Sequence, residues 1–375
     1  MDFYHFKRQH PQLVMVLLLY VAVPLVMGLA LGYEMHGDTP AEIPTVVVDA
    51  DNSEFSREFI SQVDKAATFA VITRAESARE AEQLIQSGQA MAGVIIPQDF
   101  AKNMKNGNSP DMLILYDASQ LVTLSVAKPA MTEIMMTMNG AYLQQIFAGK
   151  LGVMPAELAG NILPVNIVYR NLYNPVKSFR YYLLPGMLLA VLQVGIVMLG
   201  AERGFENKKE RKFSVHLLNL LLWGLLGMLG VMVCLGVQFA FGLPFRGTLA
   251  GGMLLLFAYS LVITAMGYIM GLLIPDKLFA VQLASLLVLP TSVLGGYSYP
   301  LTAMPHGFQM LAKLLPYTYM GADLRALCLK PMQFRHVLPH LSILLLMAAG
   351  LLALLGALLL IKRKWQRSSA EEAAA

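Results

Sequence analysis

The sequence predicts an α-helical polytopic membrane protein of about six transmembrane helices with an inserted α/β extracytoplasmic domain, and three observations carry that reading. Of the 375 residues, 56% are hydrophobic and only 14% charged, with a mean hydropathy of +0.57, a composition found among membrane proteins. Apolar blocks near the ~20 residues that cross a bilayer as a helix recur at 13–31, 182–201, 215–241, 249–274 and 341–361, with one nearer ~14 residues at 281–294. Between the first two blocks the character changes. Residues 34–180 hold 11 basic and 16 acidic side chains, net −5, against 17 basic and 8 acidic, net +9, in the remainder.

The expected organisation follows from those changes. A cytoplasmic amphipathic N-terminus occupies residues 1–12, and Phe3, Phe6, Lys7 and Arg8 suit a short segment along the membrane surface. The first transmembrane helix, 13–33, is too long for the apolar core of a signal peptide and is expected to stay uncleaved, with Pro24 kinking it at most. The α/β domain with a long helix spans 34–180. The bundle of five helices spans 181–361, with a re-entrant Pro/Gly-rich segment at 290–340, and a cytoplasmic tail closes the chain at 362–375.

Within 34–180, strand and helix signals alternate. The β-branched run Thr45–Asp49 is followed by the cap residues Asp51-Asn52-Ser53 and a helix to about Val63. Phe69–Thr73, Ala92–Ile96 and Met112–Tyr116 read as three further strands, with helices between them, one closed by Gly88. From Ser119 to about Phe147 the pattern is helical, Met-rich and interrupted by Pro129, and packing on its own domain is expected over packing on a partner. Asp49, Asp51 and Asp117 read as strand-end carboxylates that cap helices; the Gly and distal Glu of a calcium loop are missing.

Orientation rests on Lys and Arg in short segments. With both termini inside, the inner segments carry Lys7, Arg8, Arg203, Lys208, Lys209, Arg211, Lys212, Lys277, Lys362, Arg363, Lys364 and Arg367; the short outer loops carry Arg246, Lys313, Arg325, Lys330 and Arg335. Twelve against five satisfies the positive-inside rule and puts the acidic segment outside. In the loop Glu202–Lys212, charge is densest on the inner side; the loop reads as a topology anchor, as a docking surface for a soluble partner with Glu202, Arg203, Glu206, Lys208, Lys209 and Arg211 as candidates, or as both. Pro290, Gly295, Gly296, Pro300, Pro305 and Pro316 interrupt the outer edge too often for a lipid-facing helix, so the segment is expected to be re-entrant and to line protein or water.

Several functions are disfavoured. Asp, Glu, Lys and Arg are absent from the apolar blocks, and the bundle is expected to offer no carboxylate or histidine at membrane depth to bind a coupling ion. The energy for uphill transport then has to come from outside the membrane. No Gly-x-x-x-x-Gly-Lys-Ser/Thr, His-Glu-x-x-His or Gly-x-Ser-x-Gly occurs, so neither nucleotide binding by a P-loop nor hydrolase chemistry is indicated. Basic residues flank apolar spans instead of forming one polar face, which argues against nucleic acid. Cys234, in an apolar block, and Cys328, read as part of a polar loop, are not expected to pair. Gln193, Gln238, Ser260, Thr264 and Gln282 are expected to bond between helices more often than to face a path, and Gly267 and Gly271 suit close helix contact within one chain or between two.

Four stretches, in order and over nearly the whole chain, bring a family to mind. They are Asp49-Ala50-Asp51-Asn52-Ser53 with Ser56-Arg57; Ala92–Pro97 with Phe100; Tyr173-Asn174-Pro175 followed by Leu184-Pro185-Gly186; and Leu289-Pro290 through Gly295, Pro300, Pro305, Pro316-Tyr317-Thr318 and Arg325. The chain resembles the type-2 ABC exporter permeases, in the branch with a large extracytoplasmic domain between the first and second spans. That resemblance implies a bacterial inner-membrane permease that binds no cofactor itself and pairs with a second permease copy or paralogue and with cytoplasmic ATPase subunits, which handle ATP. In some branches a periplasmic adaptor continues the path. It also implies that Glu202–Lys212 couples to the ATPase, although the Glu-x-Gly-Thr that usually follows the Arg-Glu pair is missing here. The competing reading is a membrane-anchored binding or envelope-assembly protein that acts through its extracytoplasmic domain.

Overall fold

The computed structural model describes residues 11–35, 40–106, 108, 110–119, 121–151, 172–174 and 177–372. Residues 1–10 of the expected N-terminal surface segment and the last residues of the tail lie outside them. The chain forms two compact units, residues 1–36 with 172–375, and residues 37–171.

In the first unit, six helices among the described residues are long and apolar enough to cross a membrane: Gln12–Glu34, Phe179–Lys209, Phe213–Ala240, Leu249–Leu273, Lys277–Leu294 and Phe334–Lys362. The first comprises α1 (Pro11–Val16), a π-helical turn (Leu17–Ala22) and α2 (Val23–Glu34). Pro24 stands in the first turn of α2, directly after the π turn, so the ladder shifts register where the proline has no N–H to give and the span stays helical.

The other spans are α7 (Phe179–Glu206), α8 (Phe213–Ala240), α9 (Leu249–Leu273), α10 (Lys277–Val288) with the single turn α11 (Thr291–Leu294), and α14 (Phe334–Glu372). Between α11 and α14 lie α12 (His306–Ala312) and α13 (Pro316–Leu329). Side-chain caps mark the starts: Ser178 accepts from the Tyr181 amide, Thr248 from Gly251 and Asp276 from Phe279. Exposed Leu218, Leu222, Leu225 and Leu229 on α8, with Leu345 and Leu346 on α14, present apolar surface that water would penalise and lipid accepts.

α9 is the centre of the bundle and packs on α7, α8 and α14. Its contact with α7 is backbone to backbone. A Cβ on Gly200 would stand 2.6 Å from the Thr264 carbonyl oxygen, and one on Gly204, Gly267 or Gly271 would overlap the carbonyls of Tyr268, Val197 or Ala201. Gly267 and Gly271 are thus used inside the chain, against a second pair at the same spacing, Gly200 and Gly204.

In the second unit the order is β1 (Ile43–Asp49), α3 (Glu54–Lys65), β2 (Phe69–Arg74), α4 (Ala78–Gln86), β3 (Ala92–Ile96), α5 (Phe100–Lys105), β4 (Leu113–Tyr116) and α6 (Leu121–Leu151). The sheet runs β2-β1-β3-β4, parallel except for β4, which pairs antiparallel with β3 through Val94 opposite Ile114. One face buries Val47 and Val94 with Phe59 and Val63 of α3 and with Ala127 and Met131 of α6; the other buries Val46 and Val48 with Ala81 and Ala90. The long Met-rich helix therefore contributes to the core of its own unit.

The acidic residues of this unit do hold turns. Asp49 accepts the amides of Asp51 and Asn52 and the Ser56 hydroxyl, and Asp51 accepts the Ala101 amide. Asp117 is bonded by the Ser119 side chain and by the Ser119 amide at 2.9 Å, and these bonds, the side chain's first, hold its carboxyl below the usual range. Among the described residues no cluster of three or more His, Cys, Asp or Glu is placed to hold a metal.

Two expectations fail. Cys328 is not in a polar loop but buried in α13, with its thiol 3.6 Å from Gln238 Oε1. Nor is the bundle without titratable groups. His216 lies inside the apolar block 215–241, buried, with Nδ1 2.8 Å from Tyr268 Oη, and His340, on the first turns of the last span, meets Asp323 of α13 at 2.9 Å. The block 341–361 misses His340 because the helix begins at Phe334, about two turns before the continuous apolar run.

Candidate functional site

Pro290 breaks the fifth span. Having no N–H, it cannot continue the ladder of α10, and the single turn α11 restarts beyond it. Gln193, fully buried on α7, repairs the break: its Nε2 donates to the Val288 carbonyl and to Thr291 Oγ1, both at 3.1 Å, while Thr291 Oγ1 also donates to Val288 O at 2.7 Å. Tyr259 of α9 donates to Gln193 Oε1 at 2.5 Å. A backbone oxygen that the break would leave bare in an apolar interior thus has two donors.

The other nominated residues shape the chain after the break. A Cβ on Gly295 would meet the Thr291 carbonyl at 2.6 Å, and Gly296 has φ +83°, a conformation that favours glycine. Pro300 precedes the 3₁₀ turn Leu301–Ala303, Pro305 precedes α12 and Pro316 opens α13, all positions where an N–H is dispensable. This segment is tied back to the start of α7. Tyr297 Oη accepts the Gly186 amide and donates to the Tyr182 carbonyl, both at 2.8 Å, and Tyr317 Oη donates to the Gly186 carbonyl at 2.7 Å. Gly186 is required because a Cβ there would overlap the Tyr297 ring. Arg325 completes the tie: it donates to the carbonyls of Tyr182 (3.1 Å) and Tyr297 (2.6 Å), with its guanidinium 3.7 and 4.0 Å from their ring centroids.

At the other end of α7 the structure brings together four of the six nominated loop residues. Glu202 and Glu206 receive Lys277 at 2.6 and 3.8 Å, and Arg203 pairs with Glu206 at 2.8 Å while also reaching Gln12. The Arg203 guanidinium lies 4.5 Å over the Trp223 ring. Lys208 caps α9 by donating to the Ile274 carbonyl at 2.9 Å, and its own carbonyl accepts from Lys362. Lys209 and Arg211 stand exposed beside them. Glu210 accepts the amides of Arg211 and Lys212 at 2.8 and 2.9 Å, and these bonds hold its carboxyl below the usual range.

Sequence reasoning missed the partners. Lys277 opens α10 behind a brief connection, and nothing in spacing links it to Glu202, 75 positions earlier. Of the polar span residues, Gln193, Gln238 and Ser260 bond between helices, Gln238 accepting from the Cys328 thiol and Ser260 Oγ donating to the Gly224 carbonyl at 2.9 Å. Thr264 returns to the carbonyl of its own helix one turn back, and Gln282 is exposed.

Comparison with known proteins fits this architecture. The chain is 22% identical over 343 residues, 86% of each chain, to the probable multidrug ABC transporter permease YbhR of Escherichia coli (strain K12). It is 22% identical over 331 residues, 83% of each, to the probable multidrug ABC transporter permease YbhS of the same strain. It is also 23% identical over 326 residues, 82% of each, to that strain's inner membrane transport permease YhhJ. No solved structure gives a significant match. The profile of the ABC-2 family transporter proteins matches residues 11–357, so the chain belongs to that family and is a membrane permease of it.

Proposed function

We propose that the chain is the export-path subunit of an ATP-driven exporter in a bacterial inner membrane, with both termini in the cytoplasm and the unit 37–171 outside. Separate ATPase subunits dock on the Glu202–Lys212 loop, chiefly through the exposed Lys209 and Arg211, while Glu202, Arg203, Glu206 and Lys208 carry the push inward. One observation carries the reading: α7 holds the short span α10 at both ends, at Lys277 through Glu202 and at Val288 through Gln193. Displacement of the loop is thereby passed to the Pro290 break and to the braced segment of Gly295, Gly296, Pro300, Pro305 and Pro316, which acts as the outer gate.

Similarity to two different permeases of one organism supports pairing with a paralogous permease, and their names support drug-like amphiphiles as cargo. The test is growth of cells with and without the gene on a panel of toxic amphiphiles, with ATPase co-purification and cysteine accessibility of both termini measured in parallel. Lys209→Glu with Arg211→Glu is expected to abolish resistance and ATPase retention while orientation stays unchanged. Resistance and retention equal to the parent overturn the coupling role; termini accessible from outside overturn the orientation.

A further inference from the structure

A cavity of about 870 Å³ lies wholly within the unit of residues 37–171, between α3, α5 and α6. That is the size of small-molecule sites, which run to roughly 300–1,000 Å³. α6 presents Ala130, Ile134, Met138 and Tyr142 to it, a stripe at helical spacing, across from Phe55 and Glu58 of α3. The half-buried side chains of Ile134, Met138 and Met104 give it an apolar, adaptable floor.

One end is built differently. Phe55 meets Tyr142 edge to face, with centroids 5.7 Å apart, and stacks on Phe100 at 5.8 Å. Glu54 and Glu58 flank Phe55, exposed, and neither has a cation within 4.0 Å among the described residues; Glu58 accepts only Gln62 Nε2, at 2.7 Å. Tyr142 Oη is buried and has no hydrogen-bond partner among the described residues. The cavity also touches Lys65, Lys105 and Glu133, but Lys65 lies seven residues, about 10 Å, along α3 from Glu58.

An aromatic pair beside two carboxylates without cations attracts positive charge through the ring quadrupoles and Coulomb's law together. We propose that this cleft binds amphipathic organic cations, the charged head against Phe55, Glu58 and Tyr142 and the apolar body along Ile134 and Met138. The site stands whether or not the same ligand is carried across the membrane.

The test is equilibrium binding to the full chain in lipid nanodiscs, with empty discs subtracted, using tetraphenylphosphonium and its anionic isostere tetraphenylborate. Saturable binding of the phosphonium and none of the borate is expected. Glu54→Gln with Glu58→Gln is expected to weaken the phosphonium about tenfold, Ala141→Arg to abolish binding, and the remote Glu82→Gln to leave it unchanged. If Ala141→Arg fails to fold, the double glutamine variant decides, because it alters exposed side chains only. No saturable phosphonium binding, equal binding of the borate, or binding indifferent to the cleft variants overturns the proposal. So does photocrosslinking from position 134 to another protein chain that the phosphonium does not compete, which assigns the cleft to a protein partner.

Discussion

Arg325 holds Tyr297 twice, donating from Nη2 to its carbonyl at 2.6 Å and lying 4.0 Å from the centroid of its ring. The same guanidinium covers Tyr182, 143 residues earlier, so one side chain joins the first turn of α7 to the chain beyond the Pro290 break. Arg325→Lys keeps the charge but loses the planar fork and the stacking. It is expected to destabilise the purified protein by about 2–3 kcal/mol, from charged hydrogen bonds and cation–π contacts together. The shift in denaturation midpoint in detergent measures it, and a midpoint equal to the parent's removes Arg325 from the account of the brace.

The helix contact at the centre of the bundle tolerates no side chain. Gly204→Val or Gly271→Leu places carbons inside the opposing carbonyls, and neither variant is expected to yield monodisperse protein. Gly236 on α8 has nothing within 4 Å of a Cβ, so Gly236→Ala is expected to be neutral or to stabilise by up to about 1 kcal/mol through helix propensity. Size-exclusion profiles of the three variants check the contrast.

The clamp on α10 is a double-mutant question. The Lys277–Glu202 pair is partly exposed, 45% and 16% for the two side chains, so its worth to stability is about 0.5–1 kcal/mol at most. Its effect on function is expected to be larger. Lys277→Glu should lose export, and adding Glu202→Lys should restore much of it by re-forming the pair with reversed sign. Resistance that fails to recover in the double variant, with both singles inactive and folded, argues against a direct pair.

Glu210 predicts a pH dependence at the start of α8. Its carboxyl is lowered below its unfolded value because two backbone amides donate to the charged form, Lys212 first and Arg211 second. A depressed carboxyl contributes above its unfolded pKa, and the contribution is lost as pH falls through the folded value. Amide exchange at Arg211 and Lys212 is therefore expected to stay slow at neutral pH and to show a step of extra acceleration in the acid range, below the ordinary glutamate value. Glu210→Gln should remove that step, and an identical profile in the variant contradicts the assignment.

Gln193 tests the repair of the break. Gln193→Leu keeps volume but leaves the Val288 carbonyl with one donor and the Tyr259 hydroxyl without its acceptor, which is expected to cost about 1–3 kcal/mol for the group left without a partner. Thr291→Val removes a second donor to the same carbonyl, so the two substitutions are expected to be non-additive. Thermal midpoints of the singles and the double variant give the coupling.

Much of this was legible in the chain itself. The spans, the inserted α/β unit and the interruption at Pro290 all rest on local signals, because bilayer thickness, strand periodicity and the missing proline N–H act over a few neighbouring residues. The capping of turns by Asp49 and Asp51 and the lack of a P-loop are local in the same way. What the tertiary structure alone decided is who faces whom. Whether Gly267 and Gly271 serve one chain or two, that Lys277 answers Glu202, that His340 reaches Asp323 and that Gln193 covers Val288 O all depend on helix rotation and register. No local pattern encodes these, since an apolar helix is nearly uniform around its circumference and only close packing against its neighbours selects the face.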